Sequence, residues 1–177
     1  MSPPEFHYGA QPPPAGFGGR DLAGFWVRVG STLLDWLLYG LLYLPFLVVG
    51  VVLIAVGFED CQTIDDELVC FTESGDPDWA PIAIGAAVLV VGALFVALIY
   101  LRSLGRSGQT WGRKIAGVRV VREESDAPLG FGKALLRQFI QGLVSGTLFG
   151  LGYLWMLWDD KKQCWHDKIA GTQVIRV

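Results

Sequence analysis

The stretch Arg28-Val-Gly-Ser-Thr-Leu-Leu-Asp35 stands directly before 23 uncharged residues, 36–58. A helix rises ~1.5 Å per residue, so this run covers ~35 Å, enough to cross the hydrocarbon core of a bilayer. Arg28 and Asp35 are seven residues apart, about two helical turns, and therefore share one helix face ~10 Å apart along the axis. The pattern predicts a membrane span with Arg28 at the headgroups and Asp35 deeper, where an ionised carboxylate is costly unless paired, hydrated or protonated.

The distribution of charge along the chain predicts two full spans and their orientation. The chain has 177 residues, of which 52% are apolar and 18% charged, and a second uncharged run covers residues 79–101. Residues 59–78 carry eight acidic side chains and no Lys or Arg, whereas residues 102–137 carry eight basic side chains against three acidic ones. By the positive-inside rule, the basic loop and the N-terminus lie in the cytoplasm and the acidic loop lies outside. We therefore predict spans at about 30–58 and 79–101.

A third uncharged run, 138–158, allows two interpretations. Its 21 residues are long enough to span once, and its glycines at every fourth position would then form a packing seam. A single crossing would leave the basic residues of the chain end outside, against the positive-inside rule. A broken, re-entrant segment over 134–158, turning between Gly146 and Gly152, keeps both flanks in the cytoplasm. We expect the re-entrant form, whose arms of about ten residues reach only ~15 Å.

Two copies of one short sequence favour the re-entrant interpretation. Lys114-Ile-Ala-Gly-Val-Arg-Val120 recurs as Lys168-Ile-Ala-Gly-Thr-Gln-Val174. Each copy continues with β-branched residues at alternate positions, which is the pattern of a short strand. Two matching strands are expected to pair with each other, and pairing requires that both lie on the same side of the membrane. The sequence thus predicts an all-α membrane protein that carries a small cytoplasmic two-stranded β element.

The acidic loop contains two cysteines, Cys61 and Cys70, ahead of the second span. Because this loop is predicted to face the oxidising exterior, we expect a disulfide between them, with two free thiols as the alternative. The segment that they enclose is predicted to form a small hairpin that turns at Asp65-Asp66. The acidic residues lack the ligand spacing of a calcium loop, so we expect a solvated face and no metal site.

Residues 1–19 differ in composition from the rest of the chain, because they contain five prolines and four glycines. Such a segment cannot bury apolar surface, and we predict a disordered cytoplasmic tail with polyproline II character. It lacks the apolar core and the basic start of a signal peptide. The tail is either a solubilising leader or a docking ligand for a protein partner.

Two longer stretches carry a resemblance to a known family. One is Gly108-Gln-Thr-Trp-Gly-Arg-Lys-Ile-Ala-Gly-Val-Arg-Val120, and the other is Leu157-Trp-Asp-Asp-Lys-Lys-Gln-Cys-Trp-His-Asp-Lys-Ile-Ala-Gly-Thr172. Together with Arg28 seven residues before Asp35, they resemble the RDD family of small bacterial membrane proteins, named for one arginine and two aspartates. The resemblance covers residues 19–177. The proline-rich tail and the cysteine pair look like the actinobacterial proline-rich-antigen branch of that family.

The resemblance assigns the arginine to Arg28, the first aspartate to Asp35 and the second aspartate to Asp167, with Asp159 at another recurrent position. We predict that Arg28, Asp35 and Asp167 form one electrostatic cluster near the cytoplasmic interface. Two roles remain open for the cluster. Asp35 is either a titrating carboxylate on a cation or proton path, with Arg28 as its counter-ion, or half of a structural ion pair that determines helix packing.

Four other side chains near the chain end are candidates for a functional or structural role. His166 is either a pH sensor or a partly buried polar residue beside a tryptophan. Cys164 is expected to be a reduced cytoplasmic thiol. Lys161 and Lys162 follow Trp158, an arrangement typical of an interfacial anchor that also attracts anionic lipid.

No sequence feature points to catalysis. The chain shows no nucleophile elbow, HExxH motif, Walker loop or Cys/His metal cluster, and no aromatic-interleaved basic patch for nucleic acid. We therefore expect a non-enzymatic protein of the bacterial plasma membrane, without cofactor and without a nucleic-acid partner. The leading prediction is a transport or ion/proton-exchange component, which needs a homo-oligomer or a membrane partner because two or three segments scarcely enclose a polar path. The alternative is a non-catalytic assembly or envelope-interaction protein that uses its proline-rich tail.

Overall fold

The computed structural model describes residues 21–65, 67–72, 76–125, 127–146 and 151–177. The described chain is mostly helical and contains two small antiparallel sheets. Its elements are α1 (Phe25–Gly57), β1 (Cys61–Ile64), β2 (Glu67–Cys70), α2 (Trp79–Ser107), α3 (Trp111–Ile115), β3 (Val118–Arg122), α4 (Phe131–Ile140), a π-helical segment (Gln141–Gly146), α5 (Leu151–Leu154), a 3-10 turn (Trp155–Leu157), α6 (Trp165–Ala170) and β4 (Thr172–Arg176). The proline-rich tail predicted at 1–19 lies outside the described residues.

Helices α1 and α2 are long and apolar enough to cross a membrane, and the predicted spans fall on them. Their outer faces expose large apolar side chains, such as Leu37 and Val91, which implies contact with the hydrocarbon of a lipid bilayer. Their inner faces meet through small residues. A Cβ added at Gly85 would lie 2.6 Å from the carbonyl oxygen of Gly50, so the two backbones approach too closely for a side chain.

The cysteine-containing loop forms the predicted hairpin. Strands β1 and β2 pair antiparallel, with Cys61 opposite Cys70, and the two cysteines form a disulfide. The turn contains Asp65 in a left-handed conformation, with φ of 51°. The prediction of a disulfide is therefore confirmed, and of the predicted turn pair Asp65-Asp66 the second residue lies outside the described chain.

The two copies of the repeated sequence form matching helix–turn–strand units, and their strands pair as predicted. Strands β3 and β4 are antiparallel, with Val120 opposite Val174. Gly117 and Gly171 occupy the same place in the two copies, between helix and strand, with φ of 64° and 61°. This left-handed conformation is one that glycine adopts without steric cost, so the repeated glycine ends each short helix and directs the chain into its strand.

The β3–β4 sheet is the centre of a small buried core at one end of the long helices. Leu104 near the end of α2 and Ala134 of α4 pack into this core, with other buried members at Ala23, Val118, Val120, Leu129 and Val174. The residues before α1 join the sheet as well, since the amide of Ala23 donates to the carbonyl of Val174 at 2.9 Å. This arrangement brings together the segments that carry the family motifs.

The third apolar run is broken into short pieces. Within residues 134–158, α4 gives way to the π-helical segment, and the chain continues as α5 and the 3-10 turn after residues 147–150, which lie outside the described chain. The predicted turn between Gly146 and Gly152 therefore falls partly outside the described residues. Helix α5 contacts the π-helical segment. Strand β3 precedes the broken run and strand β4 follows it, and because these strands pair, the chain leaves one sheet and returns to the same sheet.

Candidate functional site

Asp167 on α6 is the centre of a buried ion-pair network. Its side chain is completely buried. Arg28 on α1 donates from Nη1 to Oδ2 at 2.8 Å, and Arg137 on α4 donates from Nε and Nη2 to Oδ1 at 3.0 and 2.7 Å. The predicted proximity of Arg28 and Asp167 is therefore present. The carboxylate ties together three helices that are distant in sequence.

Local geometry explains why Asp167 faces inward. Asp167 is the third residue of α6, and its Oδ2 accepts a bond from the backbone amide of Cys164 at 3.3 Å, as in a capping box. Thr172 adds a hydroxyl donor to Oδ1 at 3.3 Å. Burial acts to raise the pKa of the Asp167 carboxyl, but the charges of Arg137 and Arg28 outweigh burial and hold the pKa well below its usual range.

Arg28 uses its whole guanidinium group to hold the start of α1. Besides the bond to Asp167, Nε donates to the carbonyl of Ala23 at 3.1 Å and Nη2 donates to the carbonyl of Lys162 at 2.7 Å. All three acceptors lie toward the chain ends. Arg28 therefore points away from the middle of the span and fastens α1 to the loop before α6.

The prediction that Asp35 belongs to the same cluster as Arg28 and Asp167 is wrong. Asp35 is 3% exposed and accepts from Thr110 Oγ1 at 2.5 Å and from the backbone amide of Gly112 at 2.7 Å. Among the described residues it forms no ion pair. The physical reason is the direction of Arg28, because each of its three side-chain nitrogen atoms donates to an acceptor other than Asp35. The predicted cluster therefore separates into an Asp167 site and an Asp35 site.

The Asp35 site depends on a very close approach of α3 to α1. A Cβ added at Gly112 would lie 2.5 Å from the carbonyl oxygen of Ser31 and 2.5 Å from the amide nitrogen of Asp35. Only glycine leaves room there for the backbone amide to reach the carboxylate. The neighbouring Trp111 stacks on Tyr39 with ring centroids 4.8 Å apart, which fixes the orientation of α3.

Asp159 belongs to neither site. It forms an ion pair with Lys168 and accepts from the backbone amide of Gln163 at 2.9 Å. Burial acts to raise the pKa of its carboxyl, but the hydrogen bond and charge of Lys168 lower the pKa overall. Lys161, in the same loop, donates to Glu123 at 2.5 Å. Asp159 thus stabilises the loop before α6 through these two contacts.

Cys164, His166 and Asp167 place possible metal-ligand atoms within 4.8 Å of one another. Burial and the charge of Asp167 raise the pKa of the Cys164 thiol to about 12, which keeps it protonated. Burial and the charge of Arg137 lower the pKa of His166 to about 3, so its imidazole is neutral over the physiological range. Both oxygens of Asp167 already accept bonds from arginine. The group therefore fits a structural core better than a metal centre, and His166 fits the interpretation as a buried polar residue.

A cavity of about 640 Å³ lies beside Asp35, between α1, α2 and α4. We call it the Asp35 cavity. Its walls are mostly apolar, and its polar groups include Gln138 and Gln141, whose Oε1 atoms are buried without a hydrogen-bond partner among the described residues. Three tyrosines also line it: Tyr39, Tyr43 and Tyr100. Within the described chain, the cavity is thus lined by one carboxylate residue and two glutamines, together with the three tyrosines.

Sequence reasoning missed three contributors to these sites. Thr110 and Gly112 lie within a motif that was quoted for the resemblance, but nothing in the motif says that they bind Asp35. Arg137 was counted only as one of the eight basic residues of the segment 102–137. The available signal for Arg137 was its position directly before the uncharged run 138–158, where a charge is costly unless it is paired.

Several known bacterial proteins are similar to this chain in sequence. The proline-rich antigen homolog of Mycobacterium tuberculosis is 28% identical over 163 residues, which are 86% of this chain and 62% of that protein. The proline-rich antigen of Mycobacterium leprae is 34% identical over 68 residues, 38% of this chain and 27% of that protein. Bacillus subtilis YxaI, an uncharacterized protein, is 25% identical over 156 residues, 86% of this chain and 96% of that protein.

The chain thus spans 62% of the length of the Mycobacterium tuberculosis relative. No solved structure matches the chain. The sequence profile of the RDD family matches residues 22–171, a range that contains Arg28, Asp35, Asp167, the first copy of the repeated sequence and the start of the second copy. Since that match extends over most of the chain and accompanies two helices long enough to span a bilayer, this membrane protein belongs to the RDD family.

Proposed function

We propose that the protein is a membrane transport component that exchanges a monovalent cation for a proton at Asp35. The observation that carries the proposal is a buried carboxylate that forms no ion pair among the described residues and lines a cavity between the two long helices. An ionised carboxylate in a membrane is costly unless a charge neutralises it. A proton or a small cation supplies that charge, and either one excludes the other.

The chemistry of the Asp35 cavity supports a hard cation of single charge. Asp35 contributes one negative charge. Gln138 and Gln141, whose Oε1 atoms have no hydrogen-bond partner within the described chain, offer neutral oxygen ligands. Protein sites for divalent calcium gather several carboxylates, whereas this cavity has one lining carboxylate among the described residues. One carboxylate that binds either one proton or one monovalent cation couples the two flows.

We further propose that the protein lies in the bacterial plasma membrane with its N-terminus and the β3–β4 sheet in the cytoplasm. Two observations support this orientation. Residues 59–78 carry no Lys or Arg, whereas residues 102–137 carry eight. The pairing of β3 with β4 brings both flanks of the broken third run to one sheet, which fits a re-entrant segment better than a third crossing.

The proposed transport unit is an assembly rather than one chain. Two long helices and a broken segment present few surfaces with which to enclose a polar path, so a second copy or a membrane partner has to complete the wall. The proposed role needs no catalytic group, because the protein moves an ion without making or breaking a covalent bond.

The test is ion flux in proteoliposomes with a pH gradient and external Na⁺, K⁺ or Li⁺. Wild-type protein is expected to dissipate the gradient with at least one of these ions. Asp35→Asn keeps the size of the side chain but removes its charge and one of its two acceptor oxygens, so it is expected to abolish the coupled flux. Asp21→Asn, the same change at an exposed carboxylate, is expected to leave flux unchanged.

Circular dichroism and size-exclusion chromatography of Asp35→Asn provide the control for folding. A folded, inserted Asp35→Asn protein that retains wild-type flux would remove Asp35 from the mechanism. Absence of flux from wild-type protein with all three ions would contradict the proposed function as a whole.

A second candidate is a non-catalytic assembly or envelope-interaction protein. The observation that favours it is the presence of five prolines in residues 1–19, together with relatives named proline-rich antigen and proline-rich antigen homolog. Deletion of residues 2–19 distinguishes the two candidates. Transport through the Asp35 cavity is expected to survive the deletion, whereas a contact made by the tail is expected to be lost.

A further inference from the structure

A second cavity, of about 560 Å³, lies between the start of α1, the α4 region and α6. We call it the arginine cavity, because Arg28, Arg113 and Arg137 all line it. It has no role in the proposed exchange at Asp35. Arg113 and Arg137 are 5% and 3% exposed, so their charges are held away from bulk water.

The charges at this cavity do not balance among the described residues. Arg28 and Arg137 share the single carboxylate of Asp167. Arg113 has no carboxylate partner in the part of the chain that the structure describes. Its Nη2 donates to the hydroxyl of Tyr100 at 3.2 Å, and its guanidinium carbon lies 5.9 Å from the centre of that ring. Asp35 forms no ion pair with Arg113, although it accepts from the adjacent backbone amide of Gly112. Among the described residues, two of the three guanidinium groups thus share one carboxylate, and the third has none.

Two of these guanidinium groups also have unused donors. The Nη1 atoms of Arg113 and Arg137 are buried and have no hydrogen-bond partner among the described residues. A buried, charged donor without an acceptor is costly, because it has lost its hydration and gained nothing in return. A bound oxyanion supplies both missing elements, namely negative charge and acceptor oxygens. Phosphate suits this role because several oxygens accept bonds from guanidinium groups at once.

Besides the arginines and a few polar residues such as Ser31, Thr32 and Gln141, the cavity wall is lined mainly by apolar side chains. Phe25, Val29 and Leu33 of α1 line one side, and Leu154 and Met156 line another. Leu33 is 57% exposed on the outer surface of α1, which faces the hydrocarbon of the bilayer. A ligand with a charged head and an acyl chain fits a cavity of this construction, with the head at the arginines and the chain along α1.

We propose that the arginine cavity binds a phosphate oxyanion, donated either by the headgroup of an anionic phospholipid or by free phosphate. Arg113 is the residue whose charge the anion neutralises, and Arg137 Nη1 is a second donor. Arg28 contributes positive charge while it remains bonded to Asp167.

Thermal unfolding of the full chain in a neutral detergent tests the proposal. Three probes are titrated separately: dioctanoyl phosphatidic acid, dioctanoyl phosphatidylcholine and inorganic phosphate. A ligand that binds the folded state raises the melting temperature by an amount that grows with the logarithm of one plus the ratio of ligand concentration to Kd, so each titration gives an affinity. Phosphatidic acid is expected to bind at least about tenfold more tightly than phosphatidylcholine, because its exposed phosphate offers more charge and more acceptors.

Variants identify the site. Arg113→Gln removes the unpaired charge but keeps a polar side chain, and it is expected to weaken phosphatidic acid binding about tenfold or more. Arg106→Gln removes a charge from an exposed residue at the same end of α2 and is expected to change the affinity less than about twofold. Arg113→Lys keeps the charge without the planar fork, so we expect an intermediate affinity.

The outcomes separate the two sources of phosphate. Tight binding of phosphatidic acid with weak binding of inorganic phosphate identifies a lipid headgroup, and similar affinity for both identifies free phosphate. Equal effects of phosphatidic acid and phosphatidylcholine on wild-type protein, with no effect of phosphate, would overturn the proposal, and this comparison needs no variant to fold. Equal weakening by Arg113→Gln and Arg106→Gln would overturn it too, because the anion would then bind the general positive surface.

Discussion

Asp35 and Asp167 have the same side chain and are both almost completely buried, but their surroundings are opposite in kind. Asp167 accepts hydrogen bonds from two guanidinium groups, which neutralise its charge permanently. Asp35 accepts from a hydroxyl and a backbone amide, both of which are neutral. Asp35, the first aspartate of the family name, thus accepts hydrogen bonds but has no neutralising charge among the described residues. Asp167, the second aspartate, has two arginines that neutralise it.

This difference indicates what each aspartate is able to do. Protonation of Asp167 would leave two buried arginines without a counter-ion, so its charge is locked in place by the fold. Protonation of Asp35, or binding of a cation by it, disturbs no ion pair among the described residues. We therefore regard Asp167 as the aspartate that holds the helices together and propose Asp35 as the one whose charge changes.

The largest expected effect is the loss of stability in Asp167→Asn. The change leaves Arg28 and Arg137 without a counter-ion, and breaking a buried pair in this way costs about 3–5 kcal/mol. Denaturant unfolding in detergent measures the free energy of unfolding. Asp160→Asn, the same change at an exposed site seven residues earlier, is expected to stay within about 0.5 kcal/mol of wild type. A similar small loss in Asp167→Asn would mean that the network does not hold the helices.

The same network predicts a dependence on acid. The folded-state pKa of Asp167 lies below its unfolded value, so its contribution is fully present above the unfolded pKa of about 3.9. The contribution is then lost as pH falls toward the folded-state pKa. Wild-type protein should therefore lose stability below about pH 4 more steeply than Asp167→Asn does. Parallel curves for the two proteins would contradict the assigned charge.

Gly112→Ala is expected to have the next largest effect, because it acts on the Asp35 site. The added Cβ meets backbone atoms of α1 at 2.5 Å, which forces α3 away and lengthens the bond to Asp35. We expect a loss of about 1–3 kcal/mol in the free energy of unfolding. Gly132→Ala is the matched control, since Gly132 is also the second residue of its helix and has no atom within 4 Å of the added Cβ. Equal stabilities of the two variants would argue against the close approach.

Double-mutant cycles sharpen the separation of the two sites. Arg28→Ala and Asp167→Asn remove two groups in direct contact, so their combined effect should differ from the sum of single effects by about 0.5–3 kcal/mol. Arg28→Ala and Asp35→Asn remove groups that have different partners, and their effects should add within about 0.5 kcal/mol. Strong coupling between Arg28 and Asp35 would restore the single cluster that the sequence suggested.

The smallest expected effect is a change in the chemical labelling of Cys164. The backbone amide of this residue donates a hydrogen bond to the carboxylate of Asp167. Because the thiol is buried and its pKa is raised to about 12, native wild-type protein should take up no alkylating reagent. Denaturation should expose one thiol, and reduction of the Cys61–Cys70 disulfide should raise the total to three. Asp35→Asn should keep the native protection, whereas Asp167→Asn should lose it. Native labelling of wild-type protein, measured by intact mass, would show that the Asp167 site opens.

Several features of this protein follow from sequence alone, because each depends on a local pattern. The two long helices follow from uncharged runs that match the thickness of a bilayer. The pairing of β3 with β4 follows from a repeated sequence with strand periodicity, and the disulfide follows from two cysteines in one short loop. The contact of Arg28 with Asp167 followed from expecting both flanks of the third run at one interface.

The partners of Asp35 and of Arg137 were decided only by the tertiary structure. Helical spacing places Arg28 and Asp35 on one face, but it does not say where a long arginine side chain points when backbone carbonyls and a second carboxylate compete for it. Those competitors lie as many as 139 residues away in the chain. Asp35 likewise obtains its donors from Thr110 and Gly112, 75 and 77 residues away. A buried polar group takes the partner that packing brings within hydrogen-bond distance, and sequence separation contains little information about that distance.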